Sequence, residues 1–283
     1  MVTHPIPAGS VGIGLRGDHC EYVAANRPSV DWFEVHSENY FGQGGAPHDW
    51  LRQIRQDYNL SFHGVGLSLG STDDLNVKHL KRLKELIDIY EPGLVSEHLS
   101  WSSIDGIYLH DLLPLPFTNE AVLHLASRIE RVQDILGRTI LIENASTYLE
   151  FSHSDMSEWE FINEITRLSG CQLLLDINNV YVNACNHQFD PTEFLSEISP
   201  SVVGEIHLAG HTVKKMPEGT IRIDTHDQRV CDDVWNLYEA VANRFNTAPT
   251  LIEWDKDLPE FPVLMDEANI AKSYRQEMQS AAA

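Results

Sequence analysis

A (β/α)8 barrel is the fold class that this sequence of 283 residues predicts. Eight short apolar runs of strand character alternate with helical stretches from one end of the chain to the other, a pattern typical of a TIM barrel. No segment rich in proline, glycine or serine divides the sequence into parts. We therefore expect a single α/β domain over residues 1–283, with the barrel at about 11–256 and a C-terminal helix at about 260–278.

The eight predicted strands are runs of four to six mostly apolar or β-branched residues that end in polar or turn-forming residues. They are expected at 11–15, 32–36, 60–63, 94–98, 139–143, 173–176, 202–207 and 250–253. A doubly wound open sheet is the alternative topology. It is the weaker interpretation because Gly12 and Gly14 lack the third glycine of a GxGxxG dinucleotide-binding loop.

Capping residues mark where the helices between these strands begin and end. Ser157 with Glu160 matches a capping box, and Gly137 and Gly170 are placed to end two helices. A proline and a glycine at 92–93 end another helix. The expected helix starts are Thr72 or Asp73, Thr118, Ser157, Asp190 and Asp232 or Asp233.

The charge balance is strongly acidic, with 42 acidic residues against 20 basic ones and a formal net charge of −22. Such a surface repels a phosphate backbone, so we expect no nucleic-acid partner. The same surface is compatible with the attraction of cations or of a basic peptide. It is also compatible with a surface that only confers solubility.

Neither the N-terminus nor any apolar run indicates export or membrane insertion. The first residues lack a basic segment followed by a long apolar core, and no run approaches the ~20 apolar residues needed to span a bilayer. The four cysteines form no CxxC pair and predict free thiols in a reducing compartment. We expect a cytoplasmic protein without a membrane partner.

Metal-type ligands stand at the carboxyl ends of six predicted strands. In a barrel these ends share one face, which is the face that carries active sites. A single histidine or carboxylate there has a structural alternative, as a core residue bonded to a carbonyl or as half of a salt bridge. The six residues are His63, His98, Glu143, Asp176, His207 and Glu253.

The scarcity of basic residues near these strand ends argues for a bound cation. Arg16 is the only lysine or arginine there. Three carboxylates brought within a few ångströms cannot all stay ionised beside one arginine unless another cation joins them. Histidine and carboxylate ligands without thiolate suit iron, manganese, zinc or cobalt, and a bridging carboxylate suits a dinuclear site. We therefore predict a metal centre at the barrel mouth.

Further polar residues stand in the predicted loops and beside the strand ends. His187, Asp224 and His226 together offer ligands for a third metal position, although loop residues of these types are often plain turn formers or solvated surface. Another set is expected to contact the metal ligands from outside the coordination sphere or to contact substrate. Its members are Glu34, His36, Asn39, Asn144, Asn178 and His211.

Most of the chain, from about Gly12 to Asp255, resembles the multinuclear non-heme iron-dependent oxidative enzymes. This is the family of the iron enzyme of methanobactin biosynthesis and of the peptide-modifying enzyme TglH. The stretches that carry the resemblance are GIGLR, DWFEVHSENYFG, FHGVGLSLGS, SEHLSW, LIENASTY, LLLDINNVYVN, GEIHLAGH, DTHD and LIEWD.

The resemblance implies a TIM barrel that holds two or three iron ions. Glu143 would bridge the first two, and the third would be more labile. The implied ligand sets are His63, His98 and Glu143 for the first iron, Glu143, Asp176, His207 and Glu253 for the second, and His187, Asp224 and His226 for the third.

The resemblance also implies a reaction class. Family members use a mixed-valent iron pair and O₂ to oxidise cysteine residues of ribosomally synthesised precursor peptides. Their products differ, and include an oxazolone with a thioamide, a peptide from which the cysteine β-carbon has been excised, and a thiooxazole. A small separate partner protein that binds the peptide leader is expected, because this chain carries no appended leader-binding domain.

Two other function classes stay open. A redox-neutral barrel enzyme, either sugar isomerase-like or an endonuclease IV-like hydrolase, also gathers histidines and carboxylates at the barrel mouth. The isomerase would need a lysine near the metals and the nuclease a basic rim, and the sequence provides neither at a strand end. A non-catalytic metal-binding or interaction protein is the remaining alternative, and it would leave no ligand position open on any metal.

Overall fold

Eight parallel strands close into a barrel in the computed structural model, which describes residues 5–217 and 219–282, with side chains as far as 276. In chain order the strands are β1 (Val11–Gly14), β2 (Trp32–His36), β3 (Asn59–Gly64), β4 (Leu94–His98), β5 (Trp101–Ile104), β6 (Ile107–Leu113), β7 (Leu141–Glu143), β8 (Gln172–Asp176), β9 (Val203–Leu208), β10 (Thr212–Met216), β11 (Gly219–Ile223) and β12 (Thr250–Ile252).

The barrel strands follow one another in the order β1-β2-β3-β4-β7-β8-β9-β12, and β12 pairs with β1 to close the ring. This closed parallel barrel confirms the predicted (β/α)8 fold class. The helices of the described residues are α1 (Cys20–Asn26), α2 (Ala46–Arg55), α3 (Val77–Tyr90), α4 (Asn119–Leu136), α5 (Glu158–Ser169), α6 (Ile177–His187), α7 (Pro191–Glu197), α8 (Asp232–Ala242) and α9 (Phe261–Ala282).

Most helix caps lie where the sequence predicts them, and α3 is the exception. The side chain of Thr118 accepts from the third residue of α4, and Ser157 with Glu160 forms the capping box of α5. Helix α3 begins later than predicted because Asn76, rather than Thr72 or Asp73, is its N-cap.

Two antiparallel hairpins, which the sequence did not predict, extend the loops at the carboxyl-terminal face of the barrel. Hairpin β5–β6 follows barrel strand β4, and hairpin β10–β11 follows barrel strand β9. The carboxylate of Asp73 holds the turn of the first hairpin by accepting from the N–H groups of Asp105 and Gly106 at 2.8 and 3.1 Å. This explains why Asp73 does not cap α3.

The barrel interior is polar towards its mouth, because alternate residues of a strand face opposite sides. On β2, Phe33 and Val35 belong to the hydrophobic core, whereas Glu34 accepts a hydrogen bond from Ser61 of β3 at 2.9 Å. Buried polar side chains are costly in a core unless they are paired or serve a site. The polar layer therefore marks the functional end of the barrel.

Two further features concern the cysteines and the lengths of the helices. Cys20, Cys171, Cys185 and Cys231 form no disulfide in the structure. Within residues 5–217 and 219–282, no helix combines the length and the apolar character that crossing a membrane requires.

Candidate metal centre

His63, His98 and Glu143, at the ends of β3, β4 and β7, form one cluster of side chains that could hold a metal ion; we call it the His63 group. The Nε2 atoms of His63 and His98 each lie 3.2 Å from Oε2 of Glu143. The Nδ1 atom of His98 is 3.0 Å from the carbonyl of Gly64, and that of His63 is 2.7 Å from the Ser96 hydroxyl. A carbonyl oxygen can only accept a hydrogen bond, so Nδ1 of His98 must carry the proton that it donates to Gly64. The Nε2 atom of His98 then keeps a lone pair that can bind a cation.

Glu143 also belongs to a second cluster, together with Asp176, His207 and Glu253, which we call the His207 group. The other oxygen of Glu143, Oε1, lies 3.9 Å from Nδ1 of His207, and Oε2 of Glu253 lies 2.9 Å from the same nitrogen. The two oxygens of Glu143 thus face different sets of ligands. This is the geometry that a bridging carboxylate requires.

Asp176 contributes to the His207 group while it also starts a helix. Its Oδ1 accepts from the N–H of Asn179 at 2.6 Å and so caps α6, which begins at the next residue. Its Oδ2 has no hydrogen-bond partner within the described part of the chain. The helix cap fixes the side chain and leaves one oxygen directed at the site.

Both groups have the spacing that ligand atoms around one cation require. Bonds of about 2.1 Å place neighbouring ligand atoms roughly 3.0–3.4 Å apart in octahedral and tetrahedral sites. The separations of 3.2 Å in the His63 group and 2.9 Å in the His207 group lie close to this range. The 3.9 Å between Glu143 and His207 is wider and approaches the roughly 4.2 Å between opposite ligands of an octahedral site. Oε2 of Glu143 is buried and, among the described residues, has no hydrogen-bond partner, which is costly unless a proton or a cation neutralises it. The residues therefore fit a metal ion.

Arg16 neutralises only one side of the site. Its Nε donates to Asp255 at 2.8 Å, and its Nη2 contacts Asp255 and lies 3.3 Å from Glu253. Although burial and the charge of Glu253 act in the opposite direction, Arg16 lowers the pKa of Asp255 to about 2. Among the described residues, no lysine or arginine forms an ion pair with Glu143 or Asp176.

Burial dominates the electrostatics of the two carboxyl groups that Arg16 does not reach. It raises the pKa of Glu143 to about 8, with the neighbouring charges of Asp176 and Glu253 adding to the effect. Burial likewise raises the pKa of Asp176 to about 7, supported by the charge of Asp224. A cation at this position would replace the protons that these groups otherwise hold near neutral pH.

A cavity of about 200 Å³ opens above the two groups at the barrel mouth. Asp176 and His207 do not line it and are fully buried beneath it. The lining residues are His36, His63, Val65, His98, Leu112, Glu143, Ala145, Ser146, Asn179, Asp224, Thr225, His226, Glu253 and Asp255.

The structure brings two of the three predicted loop ligands together. Nε2 of His226 lies 2.6 Å from Oδ1 of Asp224, and its Nδ1 lies 3.4 Å from Glu253 of the His207 group. Asn178 donates to Asp224 at 2.8 Å, and His211 lies 2.9 Å from Asn178 behind it. These four residues form a second layer of polar contacts on one side of the cavity.

His187 does not join Asp224 and His226. The sequence places it in a loop after Asp176, but it is the last residue of α6, which begins directly after Asp176. Eleven residues of helix carry it about 16 Å along the helix axis. There its Nε2 lies 2.8 Å from the hydroxyl of Thr147, and its Nδ1 lies 3.5 Å from Glu150.

The remaining predicted support residues take different roles. His36 lies 3.2 Å from Arg16 and 3.7 Å from Glu253, at the edge of the cavity. Asn144 bonds to both the N–H and the carbonyl of Asp176, each at 2.9 Å, and so ties the ends of β7 and β8 together. Asn39 is exposed and does not line the cavity, because the short 3₁₀ turn at Ser37–Tyr40 buries Ser37 and Tyr40 instead.

Two acidic residues of this region were not among the predicted site residues. Asp255 stands two residues after Glu253, and the period of two along an extended chain was a signal that could have placed both on one side. Glu205 precedes His207 by two on β9 and is fully buried below the His207 group. Its carboxylate lies 3.6 Å from the Nε2 atom of His207.

Comparison with known proteins identifies the family. The sequence model of the RiPP precursor modification enzymes MbnB/TglH/ChrH matches residues 10–276. The chain belongs to this family. The predicted resemblance is therefore confirmed, and the family is one of enzymes that modify precursors of ribosomally made peptides.

Relatives in several bacteria carry the name UPF0276 protein. The chain is 49% identical over 263 residues to a UPF0276 protein of Vibrio vulnificus strain YJ016. The aligned region covers 93% of this chain and 90% of the relative. It is 47% identical over 274 residues to a UPF0276 protein of Psychromonas ingrahamii, and the aligned region covers 96% of each chain. The similarity therefore extends over nearly the whole chain.

Solved structures similar to this one share its fold at low sequence identity. Endonuclease IV from Thermus thermophilus has a TM-score of 0.62 at 15% identity, covering 95% of this chain and 99% of that one. A xylose isomerase-like TIM barrel protein from Mycobacterium smegmatis, in complex with magnesium, has a TM-score of 0.62 at 12% identity and full coverage of both chains. At these identities the likeness establishes the barrel and nothing about the reaction.

Proposed function

We propose that this protein is an iron- and O₂-dependent enzyme that oxidises cysteine residues of a ribosomally synthesised precursor peptide. The observation that carries the proposal is the position of Glu143, whose two oxygens face the His63 group and the His207 group at the floor of one cavity. Membership of a peptide precursor modification family supports the peptide substrate.

The ligand chemistry is suited to iron, as one of several transition metals that bind such a set. The two groups combine imidazole nitrogens with carboxylate oxygens and contain no cysteine, a set that suits iron, manganese, zinc or cobalt better than magnesium or calcium. Iron held there would supply Lewis-acid and one-electron redox chemistry with O₂. His63, His98 and Glu143 would hold one ion, and Glu143, Asp176, His207 and Glu253 the other, with Asp224 and His226 adjacent to a third.

The cavity is suited to one side chain rather than to a folded surface. Its volume of about 200 Å³ admits a thiol-bearing side chain, and Val65, Leu112 and Ala145 supply apolar wall. Arg16 and His36 hold Asp255 and Glu253 on one side, which fixes the carboxylates there before substrate enters. The buried floor limits the access of water to the reacting group.

Apolar side chains around the mouth support a peptide and a protein partner. Seven exposed large hydrophobic residues lie on the two hairpins and on the loop after β7, within a chain whose overall charge is strongly negative. Exposed apolar side chains that are contiguous on a surface mark interaction sites, and these seven are the candidates for such a surface here. A separate leader-binding partner protein would find a surface here. The residues are Ile104, Ile107, Tyr108, Tyr148, Leu149, Val213 and Met216.

The test is O₂-dependent modification of a cysteine-containing precursor encoded near the gene. The protein, isolated and reconstituted with Fe²⁺ under argon, is mixed with the precursor and its leader-binding partner, and the peptide mass is followed after air is admitted. We expect iron in the isolated protein and a mass change that requires O₂. A precursor with serine in place of cysteine is the matched control and should keep its mass.

Two results would count against the proposal. Turnover that is unchanged without O₂, or full activity with Zn²⁺ alone, would indicate a redox-neutral hydrolase or isomerase. An intact cysteine in every peptide encoded nearby, with iron bound and O₂ present, would exclude peptide oxidation as the reaction.

A further inference from the structure

His207 presents its second ring nitrogen to a pair of carboxylates that lie below the metal-binding floor. Its Nε2 is 3.4 Å from Oε1 of Glu34 and 3.6 Å from Oε1 of Glu205. All three side chains are fully buried, at 0% exposure. They come from β2 and β9, and neither carboxylate lines the mouth cavity.

These groups have few other partners. Oε1 of Glu34, both carboxylate oxygens of Glu205 and Nε2 of His207 are buried and, within residues 5–217 and 219–276, have no hydrogen-bond partner. The other oxygen of Glu34 accepts from the hydroxyl of Ser61 at 2.9 Å. Two buried carboxylates that have no lysine or arginine as an ion-pair partner destabilise a fold. Their presence therefore calls for a role that offsets this destabilisation.

The other two histidines of the site show what that role is. In His98, Nδ1 is 3.0 Å from the carbonyl of Gly64, and in His63, Nδ1 is 2.7 Å from the Ser96 hydroxyl, so Nε2 faces Glu143 in both. His207 has the opposite orientation, since its Nδ1 faces Glu143 and Glu253. A histidine that binds a metal through one nitrogen normally donates its other N–H to a carboxylate or carbonyl.

We propose that Glu34 and Glu205 are positioning residues for His207. They accept the proton on its Nε2 and so keep Nδ1 as the nitrogen that faces the metal. The inference rests on the proposed metal centre and deepens it. It assigns a task to Glu205, and it gives Glu34 a definite function behind His207 in place of a general supporting one.

The test follows the protonation of His207 directly. Protein labelled with ¹⁵N in its histidines is loaded with Zn²⁺ as a diamagnetic probe, and the ring nitrogens are assigned by NMR. Glu34→Gln, Glu205→Gln and the double variant are compared with the unchanged protein. Glu267→Gln is the matched control, because Glu267 is an equally buried carboxylate that instead binds Arg229 and the N–H of Val230.

We expect His207 of the unchanged protein to show a metal-bound Nδ1 and a protonated Nε2. In the double variant the Nε2 proton signal should shift or disappear, and Fe²⁺ titrated under argon should bind the His207 group about 10- to 100-fold more weakly. The number of ions bound at saturation should stay the same, and Glu267→Gln should change neither quantity.

Three results would overturn the inference. Loss of one whole ion from the double variant would mean that Glu34 and Glu205 hold an ion of their own. A metal-bound Nε2 in the unchanged protein would reverse the assignment, and an unchanged signal with unchanged affinity would leave the carboxylates without this role. None of these readouts uses peptide or O₂, so a protein that oxidises no peptide but shows Nδ1 ligation would refute the proposed function and leave this inference standing.

Discussion

At the scale of single residues, Glu143 is the side chain on which the site depends. It ends a three-residue buried strand, where a carboxylate without a counter-ion would be strongly unfavourable. Burial raises its pKa to about 8, so without a cation it would be mostly protonated at neutral pH. Its contacts with the His63 group and the His207 group make it the residue whose loss affects both.

Replacement of Glu143 by alanine should remove at least two metal ions. The physical reason is that one side chain supplies an oxygen to each of the two groups. Metal content of the reconstituted protein, measured by mass spectrometry of the digested sample, provides the check. Glu150→Ala is the control, because Glu150 is 72% exposed and contacts only His187 of the predicted ligands. Full occupancy in the Glu143→Ala protein would show that Glu143 is not a bridge.

At the scale of elements, two helices show how local structure places or removes candidate ligands. Helix α6 uses Asp176 as its N-cap and so fixes one oxygen while it directs the other at the site. The same helix carries His187 away from Asp224 and His226. A continuous helix therefore explains both the presence of one ligand and the separation of another.

Helix α5 carries a titratable group whose pH dependence can be separated from the metal centre. Burial raises the pKa of Glu158, its first residue, to about 8, against the lowering effect of its hydrogen bond with Asn183. Burial disfavours the ionised carboxylate of Glu158 but not its protonated form. Its contribution to stability is therefore fully present below the pKa that it has in the unfolded chain, and it is lost as the pH rises towards the folded-state pKa of about 8. The helix N-terminus and the partial exposure of the side chain moderate the effect.

Glu158→Gln should therefore stabilise the protein at alkaline pH relative to acidic pH. We expect the free energy of unfolding of the variant, minus that of the unchanged protein, to rise by roughly 1–2 kcal/mol between pH 5 and pH 8.5. Urea unfolding of the metal-free proteins at the two pH values measures it. Glu193→Gln is the control, because Glu193 is an exposed residue of α7. Glu160 is unsuitable because its side chain closes the capping box of α5. A difference that does not change with pH would mean that Glu158 titrates normally.

At the scale of the whole molecule, carboxylates concentrate at one end of the barrel in a chain that already has a formal net charge of −22. The site contains Glu34, Glu143, Asp176, Glu205 and Glu253. Among the described residues, Arg16 is the one guanidinium in contact with it. Like charges held together destabilise the folded state unless protons or cations neutralise them. Metal binding should therefore stabilise the barrel as well as serve catalysis.

Removal of metal should lower the melting temperature without loss of secondary structure. Each site filled at a free metal concentration of 100 times Kd adds about 2.7 kcal/mol, which for a domain of this size corresponds to roughly 5 °C in Tm. Calorimetry before and after dialysis against a chelator, with circular dichroism at 20 °C, measures both quantities. Restoration of Tm by Fe²⁺ in the unchanged protein, but only partly in Glu143→Ala, is the expected pattern. An unchanged Tm after complete metal removal would show that the cluster binds no stabilising cation.

The amino-acid sequence by itself determined the barrel and the residues at its strand ends. Hydrophobic runs and capping residues are local signals, and the rule that parallel strand ends share one face converts them into a common site. For this reason His63, His98, Glu143, Asp176, His207 and Glu253 could be grouped although they are far apart in the chain. The same local signals gave a wrong prediction for His187. They placed it in a loop, whereas α6 continues through that segment.

Only the tertiary structure decided how these side chains are oriented. Which nitrogen of His98 or His207 faces the site depends on a carbonyl or carboxylate contributed by another strand, and no local pattern encodes that partner. The division of Glu143 between two groups likewise depends on the strand order of the barrel, because His63 and His98 come from β3 and β4 on one side of β7, whereas Asp176 and His207 come from β8 and β9 on the other. The sequence supplies the ligands, and the packing of distant strands decides which atoms can meet.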